Sequence, residues 1–490
     1  MSAIELPTKE EITSYYYDKV WDQTSGRDVP ANARYFRFVI QDANSYQHLA
    51  NSNLVFKFRV KQNVTLQGQM AWCGDMRQMI ERCSLSLDGN QLEFHHHFDK
   101  WAKVDVLYQS DETLKQNGSR MGAYLADAEN DWGGFFDFDI NPNQHILNMY
   151  PLPEAVSDAG VCKPASVTNN QHTPFGRKLC RSQANSTTPG VIFQHGKWVT
   201  LKCPLRNIFR FLNTFNGVLS GVQSDIRFWI HPNDALLLQS PNQPYTPILD
   251  TLEFSSVHLE VARLTVSPIA FPNGLPLSNT IKVEIPDQFE IYRNTIDAST
   301  ARVGNVFILN SVDQIKRVTC FFLSPDQDIG SNNLTDKNLL GKLPETPAIT
   351  NFKLFINDRL VPRYDLEMPY YNTTKNDPPL VGPVPIDNPY QDVNDIYELY
   401  LKRCGNTLQN REDFNYQAMG TISYDTFRLY YLHYTINVDQ REYRDPMMNI
   451  SVQFTTHDSI SDCTLYTIVE KDQQVNINIR GSNAQILTVG

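Results

Sequence analysis

No two cysteines of this chain are spaced CxxC, and the eight thiols (Cys73, Cys83, Cys162, Cys180, Cys203, Cys320, Cys404, Cys463) form no framework. In 490 residues that scatter reads as reduced, unpaired thiols of a cytosolic compartment, not as a stapled secreted scaffold. The opening stretch MSAIELPTKEEITSYYYDKVW is polar and mixed in charge, so no secretory leader is expected. Without one, the six Asn-x-Ser/Thr sequons at Asn63, Asn117, Asn185, Asn333, Asn372 and Asn449 are read as background. No apolar run is long enough to span a bilayer as a helix. Lys/Arg-rich runs are also missing, and the net charge of −11 opposes wrapping or direct sequence-specific binding of nucleic acid, which needs a basic surface. P-loop, Rossmann glycine and HExxH patterns are absent, and with them the commonest phosphate, dinucleotide and zinc-protease chemistries.

What is present is a composition of 41% apolar and 20% charged residues, that of a folded chain with room for two sizeable cores. The stretch most rich in local signals is 198–238, WVTLKCPLRNIFRFLNTFNGVLSGVQSDIRFWIHPNDALLL. A β-branched and aromatic start closed by Pro204 predicts a strand. Ile208, Phe211, Leu212 and Phe215 at helical spacing, stopped by Asn216-Gly217, predict a short helix. Ile226, Phe228 and Ile230 alternating with Arg227 and Trp229 predict a second strand with one buried face.

Residues 1–32 look like an arm, with Tyr15, Tyr16, Tyr17 and Trp21 in a polar setting. Strands follow around Phe36, Phe38 and Ile40 and around Leu54, Phe56, Phe58 and Val60. Leu85 and Leu87 lead into the tight-turn pair Asp88-Gly89. A helix is expected next, capped by Asp99, with Trp101, Val104 and Tyr108 on one face. Residues 141–190 are rich in Pro, Asn, Ser and Thr and read as a long surface loop. After the 198–238 stretch, the buried parity switches between Val261 and Leu264, which places a β-bulge near Ala262. SPIAFPNGLP (267–276) marks a domain boundary. Beyond it come strands at 281–285, 303–309, 318–323, 352–356, 426–434, 450–454, 465–469 and 475–479. A second loop is expected at 362–392, then a helix with capping-box spacing at Asp395 and Glu398.

The halves repeat one another in order. SLDGNQL (86–92) matches FINDRL (355–360), 198–201 matches 427–429, DIRFWI (225–230) matches NISVQF (449–454), and HLEV (258–261) matches TLYT (464–467). Such a series implies two copies of one all-β unit. With no βαβ rhythm and about eight strand candidates per copy, the unit fits a jelly roll. The expected fold is therefore all-β: two consecutive jelly-roll β-sandwiches with short helices and long inserted loops. Their limits are 33–268 (loop 141–190) and 269–490 (loop 362–392), behind the arm 1–32. One asymmetry stands out. The helix between the strands of the first copy is replaced in the second by a charged, Pro-containing link, VDQREYRDPMM.

KCPLRNIF, an amphipathic helix, a glycine turn, DIRFWIHPNDALLL and then LEFSSVHLEVARLTVSP resemble the later strands of the first barrel in double jelly-roll major capsid proteins of eukaryotic double-stranded DNA viruses. The flavour is that of polinton- and adintovirus-like elements, with virophages and nucleocytoplasmic large DNA viruses as relatives. The early segment SLSLDGNQL with its Trp-containing helix is similar to the same family. The resemblance implies pseudo-hexagonal homotrimeric capsomers in an icosahedral shell, contacts with neighbouring capsomers, and penton and minor capsid proteins as partners. It also implies tower loops at 141–190 and 362–392 and an arm directed to minor proteins or an internal membrane. The location it implies is the virion, assembled in the host cytoplasm or nucleus. The asymmetric helix would then sit where pseudo-six-fold symmetry falls to three-fold.

Enzymatic readings rest on less. His95-His96-His97 after Gly89 fits the start of a cupin metal motif, making His95 and His97 weak metal candidates, but Trp101 and Ala102 stand where the Glu is expected and no second His box follows. A surface or interface histidine cluster is the preferred reading. Asp137 with Asp139 and Glu398 with Asp395 could serve a glycosidase, yet they read as solvated or capping carboxylates. Cys203 near His195 reads as a core cysteine beside an exposed histidine. No catalytic residue and no cofactor are expected. The alternative function is a carbohydrate- or receptor-binding sandwich, such as a penton- or fibre-like virion component.

Overall fold

In the computed structural model the described residues are 12–30, 33–41, 45–60, 70–72, 75–108, 121, 198–231, 237–239, 252–269, 280–312, 315–323, 349–367, 434–438, 448–456, 459–480 and 483–489. The first half runs β1 (Ile12–Trp21), β2 (Tyr35–Ile40), β3 (Tyr46–Val60), β4 (Met70–Trp72), β5 (Ile80–Leu87), β6 (Asn90–His95), α1 (Phe98–Tyr108), β7 (Val199–Pro204), α2 (Arg210–Thr214), β8 (Ser224–Ile230), β9 (Leu237–Gln239) and β10 (Leu252–Val266). The second runs β11 (Thr280–Ile296), β12 (Val303–Val312), β13 (Ile315–Leu323), β14 (Ile349–Ile356), β15 (Arg359–Glu367), β16 (Tyr434–Asn437), β17 (Met448–Thr456), β18 (Cys463–Arg480) and β19 (Asn483–Val489).

Each half folds into two facing antiparallel sheets of one topology. The first pairs β1-β10-β3-β7 and β2-β8-β5-β6; the second pairs β11-β18-β13-β16 and β12-β17-β14-β15, with β19 added along β18. No sheet among the described residues joins strands of the two halves. Alternation sets the faces: Phe36, Phe38 and Ile40 of β2 and Ile226, Phe228 and Ile230 of β8 are all at most 2% exposed, while Arg37 and Arg227 between them reach solvent. Phe36, Phe56 and Phe254 meet at 5.7–6.2 Å inside the first sandwich, and Phe322, Phe352 and Phe454 form the corresponding cluster in the second. Burying each ring contributes about 1.5–3 kcal/mol.

Turn chemistry repeats with the topology. Asp88 and Gly89 have φ of 46° and 81°, and Asn357 and Asp358 have 49° and 59°, so both β5–β6 and β14–β15 close through turns with two left-handed residues. Each turn is tied to the next strand identically. Asp88 donates its N–H to the Gln223 carbonyl and accepts from the Gln223 N–H, as Asn357 does with Asn449. That equates Gln223 with Asn449, so the DIRFWI–NISVQF match holds in kind but is two residues out of register.

The bulge expected near Ala262 is present, since β10 slips against β3 between Glu260 and Ala262. Other expectations are corrected. Ile12–Trp21 is not arm but the outer strand β1, paired with β10 from Ile12↔Val266 to Trp21↔His258; its exposed tyrosines disguise a strand whose partner lies far along the chain. Residues 362–367 belong to β15 rather than to a loop. The strands expected at 465–469 and 475–479 are one continuous β18. Among the described residues the place of β7 is taken in the second sandwich by β16. Asp99 lies inside the first turn of α1, where a carboxylate suits the helix dipole; the residue before the helix is His97, whose carbonyl accepts from Lys100 and Trp101. Residues 141–190, 368–392 and 427–429 lie outside the described residues, as do Asp137, Asp139, His195, Asp395 and Glu398.

Candidate assembly site at the junction of the two sandwiches

The end of β6 and the start of α1 carry the histidine triplet to the second sandwich. β6 stops at His95, and His97 turns the chain with φ of 52°. The imidazole of His95 shares a hydrogen bond of 2.8 Å with the Glu93 carboxylate and stacks on Phe289 of β11 at 4.1 Å and 12°. Trp101 of α1 lies flat on Phe289 at 4.4 Å and 4°. His97 and the Lys100 ammonium lie against the ring of Tyr466 on β18 at 5.7 and 5.6 Å. Phe289 and Tyr466 are each 1% exposed, so the sheet face that carries them is covered by the first sandwich.

Charged groups hold this edge in shape. Glu93 accepts from the backbone N–H groups of Arg210 and Phe211, the first turn of α2, whose own preceding residue, Phe209, offers no side-chain cap. A buried carboxylate from another strand thus supplies the missing cap and complements the helix dipole. Below it Arg77, 1% exposed, forks onto Asp75 and reaches Asp105 at 2.7 Å and the Asn207 carbonyl at 3.3 Å. Burial opposes the Arg77 charge, and the Asp75 and Asp105 carboxylates override it, so the guanidinium stays protonated. Arg210 and Arg77 both lie over Trp101, at 4.7 and 5.5 Å. α2 itself packs on β11. α2 therefore sits between the two sandwiches of one chain.

An open cleft of about 360 Å³ flanks the contact, lined by Gln91, Phe94 and His96 from the first sandwich and Gln288, Tyr292 and Gln473 from the second. Burial lowers the pKa of His96 and His97 below the ordinary histidine value. For a metal at His95 and His97, no group of three or more His, Cys, Asp or Glu gathers among the described residues. Cys203 is buried in the core, and burial pushes the neighbouring Cys83 thiol up and that of Cys320 to about 12, which holds both protonated. Sequence reasoning named the histidines but missed Glu93, Arg77 and Phe289. The available signal was a charge at Glu93 on the core-facing parity of NQLEFH.

Neither a family model nor a curated protein matches the chain. Among solved structures it is similar to a chain of the cryo-EM structure of the Sputnik virophage, with a TM-score of 0.56, 11% identity, and coverage of 98% of this chain and 90% of that one. The likeness spans both sandwiches and the order that joins them. The fold is a double jelly roll. Looser likenesses are to the mavirus major capsid protein (TM-score 0.47, 10% identity, 99% and 94% covered) and to the capsid of the virus PBCV-1 (0.48, 10%, 99% and 100%). Within this double jelly roll the outer sheet face of the second barrel is sealed by the helical edge of the first. The contact is heterologous: different surfaces of two similar units meet.

Proposed function

We propose that this chain is the major capsid protein of a eukaryotic double-stranded DNA virus or related element, acting by assembly and not by catalysis. One observation carries the reading: two jelly rolls of one topology stacked head to tail, in a fold shared with a virion chain over nearly the whole length. Heterologous contacts generate rings when the rotation closes, and three two-barrel chains supply six similar barrels. The product would be a pseudo-hexagonal homotrimer that tiles an icosahedral shell beside neighbouring capsomers, with penton and minor capsid proteins as further partners. Its location is the virion, with assembly in the host cytoplasm or nucleus.

The test is the oligomeric state of the purified chain by light scattering, followed by negative-stain imaging. Trimers seen as hexagonal plates with three-fold symmetry are the expected result. A monomer that forms no higher assembly at any concentration sinks the reading.

A second reading has its own observation. Tyr35, Trp229, Phe94 and His96 form a half-exposed aromatic row on the outer face of the β2-β8-β5-β6 sheet, beside the Arg37–Asp225–Arg227 cluster. Such a row suits stacking of sugar rings. Binding of oligosaccharide by the wild type and not by Trp229→Ala is what that function requires.

A further inference from the structure

The cleft beside the contact between the barrels has no part in the assembly reading, yet its wall has a definite chemistry. Gln91 of the first barrel and Gln288 and Gln473 of the second bring three amides to it, and Phe94 and Tyr292 add aromatic surface from each side. Its charged groups are already matched. Glu290 accepts from the Lys471 ammonium at 2.8 Å and from the Tyr292 hydroxyl. Burial keeps the His96 pKa below the ordinary histidine value, so that ring is uncharged at neutral pH. The wall therefore offers no free cation to a phosphate or sulfate and no free carboxylate to an amine.

Gln288 is the residue that points to a ligand. β11 slips against β18 between Ile285 and Gln288, and Asp287 within the slip has a φ of 55°, which is uncommon for a residue with a side chain. Bulges re-aim side chains, and the residue after this one sets its amide in the cleft wall. Gln288 is 7% exposed, and its Oε1 has no hydrogen-bond partner. In the facing wall the His95 Nε2 is directed to Glu93, which leaves Nδ1 as an acceptor, also buried and unpartnered. Buried acceptors without donors are rare in folded proteins. Two of them around one cleft call for a ligand that brings donors. The last torsion of a glutamine is broad, so the Gln288 oxygen can turn outward to meet one.

We propose that the cleft binds one ring of a neutral, hydroxyl-rich sugar, held by the amides of Gln288 and Gln473 with its apolar face against Phe94. A hydroxyl both donates and accepts, and so does an amide, so the two suit one another without any charge. The volume of about 360 Å³ lies at the small end of the range for ligand clefts, about 300–1,000 Å³, which fits a single ring of a chain and not the whole chain. The rest of the chain has a path. Phe94 is also the end of the aromatic row, 6.2 Å from Trp229, so a glycan lying along Tyr35 and Trp229 runs into the cleft. The inference rests on the sugar-binding reading of that row and gives it an enclosed end.

The experiment titrates the full-length protein with D-glucose, D-galactose, D-mannose and maltotriose, and with N-acetylneuraminic acid and spermidine as charged counterparts, by saturation-transfer NMR and calorimetry. Gln288→Leu removes the amide at similar volume. The expected result is that the wild type binds a neutral hexose and maltotriose, and that Gln288→Leu binds both about tenfold more weakly with a thermal midpoint no lower than that of the wild type. Maltotriose binding that is lost in Trp229→Ala and undiminished in Gln288→Leu overturns the inference while the reading of the row stands. A wild type that binds none of the neutral sugars removes both, as does binding indifferent to both variants. Preference for the acid or the polyamine, lost in Gln288→Leu, overturns the neutral ligand class. Should Gln288→Leu fail to fold, Gln473→Leu, at a half-buried position, replaces it under the same criteria.

Discussion

Gly304 shows how one residue can be fixed by its neighbour across a strand pair. It sits opposite Phe454 on the core face of β12, and a Cβ there would lie 2.2 Å from the ring. The corresponding pair in the first barrel is Phe36 opposite Phe228, two rings side by side. In the second barrel one ring fills the space, and the glycine makes room for it. Gly304→Ala is expected to cost about 1–3 kcal/mol, because an added methyl in a packed core forces shifts in ring and backbone. A lowered thermal midpoint with an unchanged circular dichroism spectrum at room temperature is the predicted observation. No drop would mean that Phe454 has room to move.

At the scale of elements, α2 depends on a carboxylate outside itself. Removing Glu93 by Glu93→Ala strips two N-terminal amides of their acceptor and leaves the His95 Nε2 unpaired in a buried site. The expected loss is about 1–3 kcal/mol, and amide exchange should rise at Arg210 and Phe211 before it rises in the sheets. Phe289 tests the joint that α1 and α2 make with β11. Phe289→Ala removes the ring on which both His95 and Trp101 stack, at a cost of about 3–5 kcal/mol as for other buried phenyl groups. Because no sheet among the described residues joins the barrels, calorimetry should resolve two transitions in this variant, against one expected for the wild type. A single, merely lowered transition would show that the barrels melt together without this contact.

For the whole molecule, acid should lower the stability of the fold. Burial lowers the pKa of His48, His97 and His258, against an ordinary value of 6.5. With the folded-state pKa depressed, the unfolded chain takes up protons near 6.5 and the folded chain only at lower pH. Stability is therefore full above about 6.5 and declines as pH falls from there. His97 lies between the barrels, with Asp99 favouring its charge and Lys100, Arg293 and His96 opposing it. His48 and His258 lie on the outer face of the first barrel. The thermal midpoint should fall between about pH 8 and about pH 5, before the carboxylates titrate. His97→Asn, which tolerates the positive φ, should flatten part of that fall. A midpoint constant across this range would exclude a histidine contribution.

By itself, the sequence determined the elements whose signals are local. Alternation in YFRFVI and DIRFWI, the turn pairs at Asp88-Gly89 and Asn357-Asp358, and the parity slip near Ala262 each act within a few residues, so each was legible and each is found. The ordered repetition of those signals was enough to give two jelly rolls. Tertiary structure alone decided what depends on distant partners. β1 is a strand because β10 offers it an edge from far along the chain, with Ser14 and Thr265 in contact across 251 positions of sequence. Glu93 is a cap because α2 starts beside it, and Phe289 is buried because another barrel lies on it. Burial from within the same sheet leaves a period in the sequence. Burial by a second body leaves none, which is why the candidate site between the barrels, unlike the barrels themselves, could be read only once they were placed together.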